Sequence, residues 1–401
     1  MIKAVLLDLD DTLLRCSDRV FVPEYLRLID QHFLTKWDFP HLSQTLRQFI
    51  HAAAGPRDSR QTNNALAEAI IAEATRRSPQ EIGDAFASFY AQVYPQLAGC
   101  VEAVPHAAEL FTTLRQQQYA VVIATNPLYP AEAIRQRLAW AGLADDLAAY
   151  ALVTHSGNMH FTKPDPAYYA EIIARVGVEP DEALMVGDSL TNDMRPAAVL
   201  GLSTYGVNEN HLEEQPEDVD QAGGLTQFYE LVQHEGWADK FVPRPPKPEA
   251  IEPQLRGNLG ALFGLLDGVQ PNHWHQRPDP NEWSILEIVC HLLESEDRVQ
   301  RPRLERILLE DNPFLSAPKP PPGPGAVQPC DDDGDHAAKR FAERRQQTID
   351  WLQQLTPGDW HRPARHSIFG LTSLLEMAHF TAQHDRLHLN QLCQTQGRCE
   401  G

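Results

Sequence analysis

The sequence predicts an α/β domain built on a parallel sheet, followed by an all-helical domain. Two observations support this. Before residue 240, strand-length apolar runs alternate with helical stretches, and after residue 253 long helical patterns replace them. Runs that are apolar throughout are typical of parallel strands covered by helices on both faces. Between the two parts, VPRPPKPEAIEP at 242–253 carries five prolines in twelve residues, which indicates a semi-rigid linker.

Four apolar runs in the first part have the length and composition of strands. They are KAVLLDL (3–9), YAVVIAT (119–125), YALVTH (150–155) and ALMVGD (183–188). Residues 16–100 interrupt the alternation with helix-like segments and no convincing strand. We therefore predict a first domain at 1–240, with its core at 1–15 and 101–240 and a helical cap at 16–100, and a linker at 241–253.

The second part, residues 254–401, contains four long helical patterns and is predicted to be a four-helix bundle. The patterns are PQLRGNLGALFGLLDGV, SILEIVCHLLESEDRVQRPRLERILLE, HAAKRFAERRQQTIDWLQQL and LTSLLEMAHFTAQHDRLHLNQLCQ. Residues 313–329 are rich in proline and are expected to form an extended loop, followed by the acidic run at 331–335.

Composition and charge exclude several classes of function. The formal net charge is −21, so nucleic acid and anionic lipid are not expected as partners. No apolar run approaches the roughly 20 residues that a bilayer span needs. The N-terminus lacks the pattern of a signal peptide, so we expect a cytoplasmic protein. The six cysteines form no CxxC pair, which favours reduced thiols. The sequence leaves open whether the protein forms a homodimer.

Polar side chains lie at or shortly after the ends of the four predicted strands, where ligands of open α/β sheets bind. They are Asp8, Asp10 and Thr12; Thr125 and Asn126; Lys163; and Asp188 and Asp193. Phosphoryl transfer needs a nucleophile, a hard cation held by oxygen ligands, a hydroxyl group and a positive charge near the phosphoryl oxygens. The set contains all of these.

Each of these residues also has a purely structural interpretation. Thr125 alone is typical of a strand, Lys163 alone of a surface turn, and Asp188 and Asp193 alone of helix N-caps. It is the order of all four groups, and their placement at strand ends, that favours a catalytic site.

With these motifs, residues 1–235 resemble the haloacid dehalogenase (HAD) superfamily. DLDDT at 8–12, Thr125, Lys163 and GDSLTND at 187–193 look like its four motifs. The resemblance implies a Rossmannoid core with a type-1 helical cap. It also implies an Mg²⁺-dependent phosphatase that acts on a small phosphorylated metabolite.

The same resemblance implies a role for each residue. Asp8 would be the nucleophile and would form an aspartyl-phosphate, and Asp10 would be the general acid and base. Thr125 and Lys163 would bind the phosphoryl group. Mg²⁺ would be held by Asp8, the Asp10 carbonyl, Asp188 and Asp193. Because Asp10 is present, a phosphatase is favoured over a dehalogenase, and a phosphomutase stays open.

Two details of the first domain remain open. Asp11 is not assigned to the site, because many relatives have glycine at this position. In the cap, Arg47, Arg57, Arg60 and His51 could bind an anionic substrate tail, although solvated surface is the favoured interpretation.

Histidines of the second part suggest a different site. His384 and His388 are spaced i,i+4, which places both imidazoles on one helix face at a spacing that chelates metals. His291 lies on the apolar face of an earlier helical pattern. Three histidines from two facing helices would make a metal site with open positions. His379 is a competing ligand, but on an ideal helix it faces elsewhere.

A Trp-Ser at the start of a helix, His291 seven residues after Ser284, and the late HxxxH resemble the DinB/YfiT-like family of metal-binding four-helix bundles. The resemblance covers residues 252–401 and implies His291, His384 and His388 as ligands of Zn²⁺, Ni²⁺ or a similar ion. Three functions are compatible with it: a metal- or thiol-dependent transferase or hydrolase, a binding module, and a dimerisation module without chemistry.

Overall fold

The computed structural model describes residues 1–207, 216–317, 330–331 and 333–399. The chain forms two compact units, which are treated separately below. The first unit comprises Met1–Tyr169 and Pro180–Arg244, and the second comprises Ala170–Glu179 and Pro245–Gly401. The predicted first domain, 1–240, includes residues 170–179, whereas in the structure these residues belong to the second compact unit. The predicted limits at 240 and 254 therefore remain a prediction.

The first unit is built on a parallel sheet, as the sequence predicted, and this sheet has six strands. The strands of this unit are β1 (Ala4–Leu7), β2 (Leu14–Arg15), β3 (Glu102–Ala103), β4 (Ala120–Ile123), β5 (Leu152–Val153), β6 (Ala183–Gly187), β7 (Ser203–Val207) and β8 (Gln221–Gly223). The order in the sheet is β5-β4-β1-β6-β7-β8. The central strand β1 is fully buried, which explains its unbroken apolar sequence.

Strands β7 and β8 were not predicted. β7 reads STYGV, in which serine, threonine and glycine dilute the apolar signal, although the whole strand is buried. β8 has only three residues, QAG, too few for a pattern. The sheet is therefore wider by two strands than the sequence indicated.

Nine helices begin in the first unit among the residues described. They are α1 (Asp18–Trp37), α2 (Leu42–Ala53), α3 (Asn63–Thr75), α4 (Pro79–Gln92), α5 (Ala107–Gln116), α6 (Ala131–Trp140), α7 (Pro166–Val176), α8 (Arg195–Leu200) and α9 (Leu225–Val232). Helices α1–α4 form the predicted cap. The antiparallel pair β2–β3 joins the two ends of this insertion. The start of α4 follows from a capping box between Ser78 and Glu81.

The second unit is mainly helical, as predicted. Its helices are α10 (Ile251–Leu266), α11 (Ile285–Ser295), α12 (Arg301–Leu309), α13 (Gly334–Leu352) and α14 (Leu374–Cys399). Helix α11 packs against α13, and α10 packs against α14. The long second pattern is divided by a π-helical turn at Glu296–Gln300, which separates α11 from α12.

The second unit also contains a small sheet that the sequence did not predict. Its strands are β9 (Phe314–Leu315), β10 (Pro363–His366) and β11 (Gly370–Ser373), in the order β11-β10-β9. β9 lies at the start of the predicted proline-rich loop. Residues 318–329 of that loop, and residue 332 of the acidic run, lie outside the described residues.

The expectation of reduced thiols is wrong for two cysteines. Cys290 on α11 and Cys330 form a disulfide, with their Cα atoms 5.3 Å apart. The two residues are 40 positions apart in the sequence, so no local spacing of cysteines could predict the pair. Cys100 and Cys393 are not part of a disulfide. Among the described residues, no helix combines the length and apolar character that a membrane span requires.

Candidate active site and candidate metal centre

The candidate nucleophile follows the central strand of the first unit directly. Asp8 is the first residue after β1, and its backbone N–H donates to the carbonyl of Val186 over 2.9 Å, so the sheet fixes its backbone. The residue is buried, with 7% of its surface exposed. Thr12 Oγ1 donates to Asp8 Oδ2 over 3.1 Å, and Lys163 Nζ donates to Oδ1 over 2.7 Å. Both oxygens are therefore oriented by buried donors.

Lys163 joins two carboxylates. Its Nζ also donates to Asp193 Oδ1 over 2.6 Å. Burial alone would lower the pKa of Lys163, but Asp193 and Asp8 outweigh it and hold that pKa well above its usual value. Tyr169 donates its hydroxyl to the same Asp193 oxygen over 3.2 Å. The lysine is thus charged and held in place.

The carboxylates of Asp8, Asp188 and Asp193 lie within 4.8 Å of one another. Asp188 follows β6, and Asp193 lies on the π-helical turn after it. The Asp193 carboxylate packs so closely against Gly187 that a side chain at position 187 would collide with it. Burial, then Asp193 and Asp11, raise the pKa of Asp188 to about 6. Three carboxylates face one lysine, so the cluster carries surplus negative charge.

The candidate general acid, Asp10, is held by a residue that the sequence did not indicate. Arg137 Nη1 on α6 donates to Asp10 Oδ2 over 2.6 Å, and Arg137 Nε donates to the Tyr94 hydroxyl over 2.9 Å. The guanidinium is buried over the rings of Phe21 and Tyr129. Asp10 Oδ1 is buried and has no hydrogen-bond partner among the described residues.

Thr125 and Asp11 have different local roles. Thr125 is buried, and its carbonyl accepts hydrogen bonds from the hydroxyls of Thr154 and Tyr168 over 2.7 and 2.8 Å. Asp11 has a φ of 59°, a left-handed conformation that glycine also adopts freely. Its Oδ1 accepts from the backbone N–H of Cys16 over 2.9 Å. Asp11 therefore shapes the turn that follows the nucleophile.

A cavity of about 770 Å³ extends from these residues into the cap. Asp8, Asp10, Thr125 and Lys163 line it on the core side, together with Asp188 and Asp193. Helices α1–α4 line it on the cap side. The predicted catalytic and metal-binding residues of the first unit thus meet at one cavity.

In the second unit, His291 on α11 and His384 and His388 on α14 come together. Their ring centroids are 4.5–5.4 Å apart, and one nitrogen of each lies within 4.8 Å of the others. The Trp283 ring contacts His291 and stacks with His388. His379, the competing residue of the sequence analysis, is not part of this cluster.

The three imidazoles are neutral at physiological pH. Burial, then His388, lowers the pKa of His291 to about 4. Burial and the neighbouring histidines lower the pKa of His384 to about 2, and burial also lowers the pKa of His388. Gln391 Oε1 lies 2.9 Å from His388 Nδ1, which leaves Nε2 of that ring as the other available nitrogen. Neutral rings with oriented nitrogens are the form that binds metal.

Two family models match two separate segments of the chain, and each segment contains one of the two candidate sites. Residues 2–201 match the model of the haloacid dehalogenase-like hydrolases. Residues 254–392 match the model of the DinB superfamily.

Three curated relatives illustrate the similarity. The phosphoserine phosphatase of Thermus thermophilus is 32% identical over 185 residues, 46% of this chain and 61% of that protein. Pyrimidine 5'-nucleotidase PynA of Streptococcus pneumoniae is 32% identical over 128 residues, 31% of this chain and 52% of that protein. The phosphoglycolate phosphatase of Rhodospirillum rubrum is 30% identical over 152 residues, 38% of this chain and 59% of that protein.

The chain therefore spans only 52–61% of the length of these relatives. On the matched segments, residues 2–201 belong to the haloacid dehalogenase-like hydrolases, and residues 254–392 belong to the DinB superfamily.

Proposed function

We propose that the first unit is an Mg²⁺-dependent phosphatase that hydrolyses a small phosphorylated metabolite through an aspartyl-phosphate on Asp8. One observation carries the proposal. The Asp8 carboxylate lies at the core side of a large cavity, is oriented by Lys163 and Thr12, and is within 4.8 Å of two further carboxylates. The relatives named as phosphatases support the same reaction class.

The residues present fit Mg²⁺, which prefers oxygen ligands. Asp8, Asp188 and Asp193 would hold the ion, with the Asp10 carbonyl as a further ligand. Burial, and after it the neighbouring carboxylates of Asp193 and Asp11, raise the pKa of Asp188, and a divalent cation would offset both by stabilising the ionised form. When bound, Mg²⁺ would stabilise the charge on the phosphoryl oxygens.

Catalysis proceeds in two steps on these residues. First, an Asp8 oxygen attacks phosphorus, the bond from phosphorus to the leaving oxygen breaks, and Asp10 donates a proton to that oxygen. Second, Asp10 takes a proton from a water molecule, whose oxygen attacks the phosphorus of the aspartyl-phosphate. The bond between phosphorus and Asp8 breaks, which releases inorganic phosphate. Lys163 and Thr125 bind phosphoryl oxygens in both steps.

The geometry of Asp10 suits this double role. Arg137 holds Oδ2, while Oδ1 is buried without a hydrogen-bond partner among the described residues. Oδ1 is therefore the atom available to exchange a proton with the leaving group and then with water. Arg137 acts as a positioning residue for this carboxylate.

We infer in addition that the second unit binds a divalent transition metal, Zn²⁺ or Ni²⁺, through His291, His384 and His388. Three neutral imidazoles converge within 4.8 Å, and His384 Nδ1 is buried with no hydrogen-bond partner in the described part of the chain. Three protein ligands would leave a coordination position open. The catalytic, binding and dimerisation alternatives for this unit stay open.

Phosphate release from a generic aryl phosphate, with and without Mg²⁺, tests the first proposal. Asp8→Asn removes the nucleophile and should lower kcat by roughly 10³-fold or more. The matched control is Asp11→Asn, since asparagine tolerates a positive φ and keeps an oxygen for the Cys16 N–H. We expect the control to stay within about threefold of the wild type.

Three results would contradict the phosphatase assignment: an inert wild type, an Asp8→Asn variant with full activity, or equal losses in both variants. A phosphomutase would convert its substrate without releasing stoichiometric phosphate, so the same assay separates the two reactions. The names of two relatives make phosphoserine and phosphoglycolate the first metabolites to test.

A further inference from the structure

The composition of the cavity in the first unit restricts the substrate. We propose, on the basis of the phosphatase function above, that the substrate is a phosphomonoester whose leaving group is bulky, largely apolar and uncharged. A small acid such as serine or glycolate does not suit this cavity.

The cap side of the cavity is lined mainly by aromatic and branched aliphatic side chains. The lining residues of this kind are Phe21, Val22, Tyr25 and Leu26 on α1; Leu46, Phe49 and Ile50 on α2; Ile71 on α3; and Ile82, Phe86 and Tyr90 on α4. The hydroxyls of Tyr25 and Tyr90 lie 3.1 Å apart and bond to each other. Because these polar tips satisfy one another, the two rings add apolar surface to the wall.

The cavity has little positive charge to offer a carboxylate on the leaving group. The cap contributes Arg47 and Glu68, whose charges are opposite, and Arg47 is exposed to solvent. On the core side, Lys163 is committed to Asp8 and Asp193, and Arg137 is committed to Asp10. Burying a carboxylate without a partner is strongly unfavourable, so a charged leaving group would be disfavoured.

The other cap residues that could bind an anion do not line the cavity. Arg57 donates to the carbonyls of His160 and Gln61, and Arg60 pairs with Asp58. His51 is exposed and is not among the cavity-lining residues.

Volume leads to the same conclusion. The cavity measures about 770 Å³, within the range of sites for ligands the size of a nucleotide or a drug. Glycolate has two carbons and would leave most of the apolar wall without a partner. An aromatic or branched alkyl group would bury that wall and gain binding free energy roughly in proportion to the area covered.

A homologous series of alkyl phosphates tests the proposal, because their leaving groups have nearly equal basicity. The panel is ethyl, butyl, hexyl and 2-phenylethyl phosphate, with phosphoserine and phosphoglycolate for comparison. We expect kcat/KM to rise by about threefold per methylene and to exceed the values for both acids. A flat series, or a preference for either acid, would overturn the substrate class while leaving the phosphatase function intact.

A cavity-filling substitution adds a second test with a matched control. Gly83 on α4 lines the cavity, and no heavy atom lies within 4 Å of a Cβ built on it. Gly83→Phe should lower kcat/KM for hexyl and 2-phenylethyl phosphate by about tenfold and leave ethyl phosphate unchanged. Gly397→Phe is the matched control, because Gly397 is exposed on α14, does not line the cavity and likewise has no heavy atom within 4 Å of a Cβ built on it, so this variant should match the wild type.

The outcomes separate the two proposals. If no phosphate is released from any compound, including the aryl phosphate, the phosphatase function fails and the substrate class with it. If Gly83→Phe affects ethyl and hexyl phosphate equally, or neither of them, the leaving group does not occupy the cap cavity and the substrate class is wrong. A circular dichroism spectrum that matches the wild type shows, for each of these outcomes, that the variant is folded.

Discussion

The two units carry candidate metal sites that respond to burial in opposite ways. In the first, burial and neighbouring carboxylates raise the pKa of Asp188 to about 6. In the second, burial and neighbouring imidazoles lower the pKa of His291 to about 4 and that of His384 to about 2. Burial favours the neutral form in both sites. Ionising the carboxylates of the first site therefore costs free energy that a bound cation would offset, whereas the imidazoles of the second site already have the neutral form that binds metal.

The sites also differ in how the chain assembles them. The first collects residues from the ends of several parallel strands, and Lys163 pairs with Asp8 across 155 positions. The second needs only two helices, with His384 and His388 one turn apart on α14. We expect a charged network assembled from distant segments to be sensitive to the loss of any member, and a chelating pair on one helix to be locally robust.

The largest effect that this comparison predicts is on the charged site. Lys163→Met would leave the buried carboxylates of Asp8 and Asp193 facing each other without the ammonium. Breaking a buried pair in this way costs about 3–5 kcal/mol of the free energy of unfolding. Phosphatase kcat should fall by roughly 10³-fold as well. Urea unfolding without Mg²⁺, monitored by circular dichroism, and phosphate release measure the two losses.

Lys3→Met is the matched control for this loss. Lys3 pairs with Glu182 over 2.5 Å, but its side chain is 62% exposed. An exposed pair contributes only about 0–1 kcal/mol, so stability and activity should change little. If Lys163→Met and Lys3→Met were equally mild, the network around Asp8 would not depend on its buried lysine.

A smaller effect is expected at the second site. His384→Ala removes one of three ligands and should lower the affinity for Zn²⁺ or Ni²⁺ by about 10²-fold or more, as measured by competition with a chromophoric chelator. His379→Ala, on the same helix but outside the cluster, should bind metal like the wild type. Phosphate release should be unaffected by both variants. Equal losses in both variants would contradict the three-histidine site.

The sequence predicted the parts of both sites that obey a local rule. Asp8, Asp10, Thr125 and Asp188 follow or end strand-length apolar runs, and the carboxyl ends of parallel strands meet at one edge of a sheet. The i,i+4 spacing of His384 and His388 likewise requires only a helix. In both cases the positions of the residues in the sequence are enough to predict that their side chains lie close together.

Other features depend on tertiary contacts that no local pattern encodes. Arg137 is one arginine among others on an amphipathic helix, and only the folded chain brings it to Asp10, 127 positions away. The pairing of Cys290 with Cys330 depends on how α11 meets a distant segment. The strands β9 and β10 have two and four residues, too short for a periodicity to stand out.

The smallest predicted effect is a difference in pH dependence between the two metals. Because the pKa of Asp188 is raised to about 6, a proton competes with Mg²⁺ as the pH falls below that value. The Mg²⁺ concentration for half-maximal phosphate release should rise by up to about tenfold per pH unit between pH 6 and pH 5. His291 and His384 take up protons only near pH 4 and below, and burial also lowers the pKa of His388, so the affinity of the site for Zn²⁺ should change less than that of the first site for Mg²⁺ over the same interval.

Titrations of both metals at pH 7, 6 and 5 measure this contrast. Asp188→Asn is the control, because it removes the titrating carboxylate. It should need more Mg²⁺ at every pH, and its half-maximal concentration should depend less on pH between 6 and 5 than that of the wild type, in which Asp188 also titrates. A Zn²⁺ affinity that falls tenfold per unit in this interval would show that the histidines titrate as they do in water. The two sites would then share one pH response, and burial would not distinguish them.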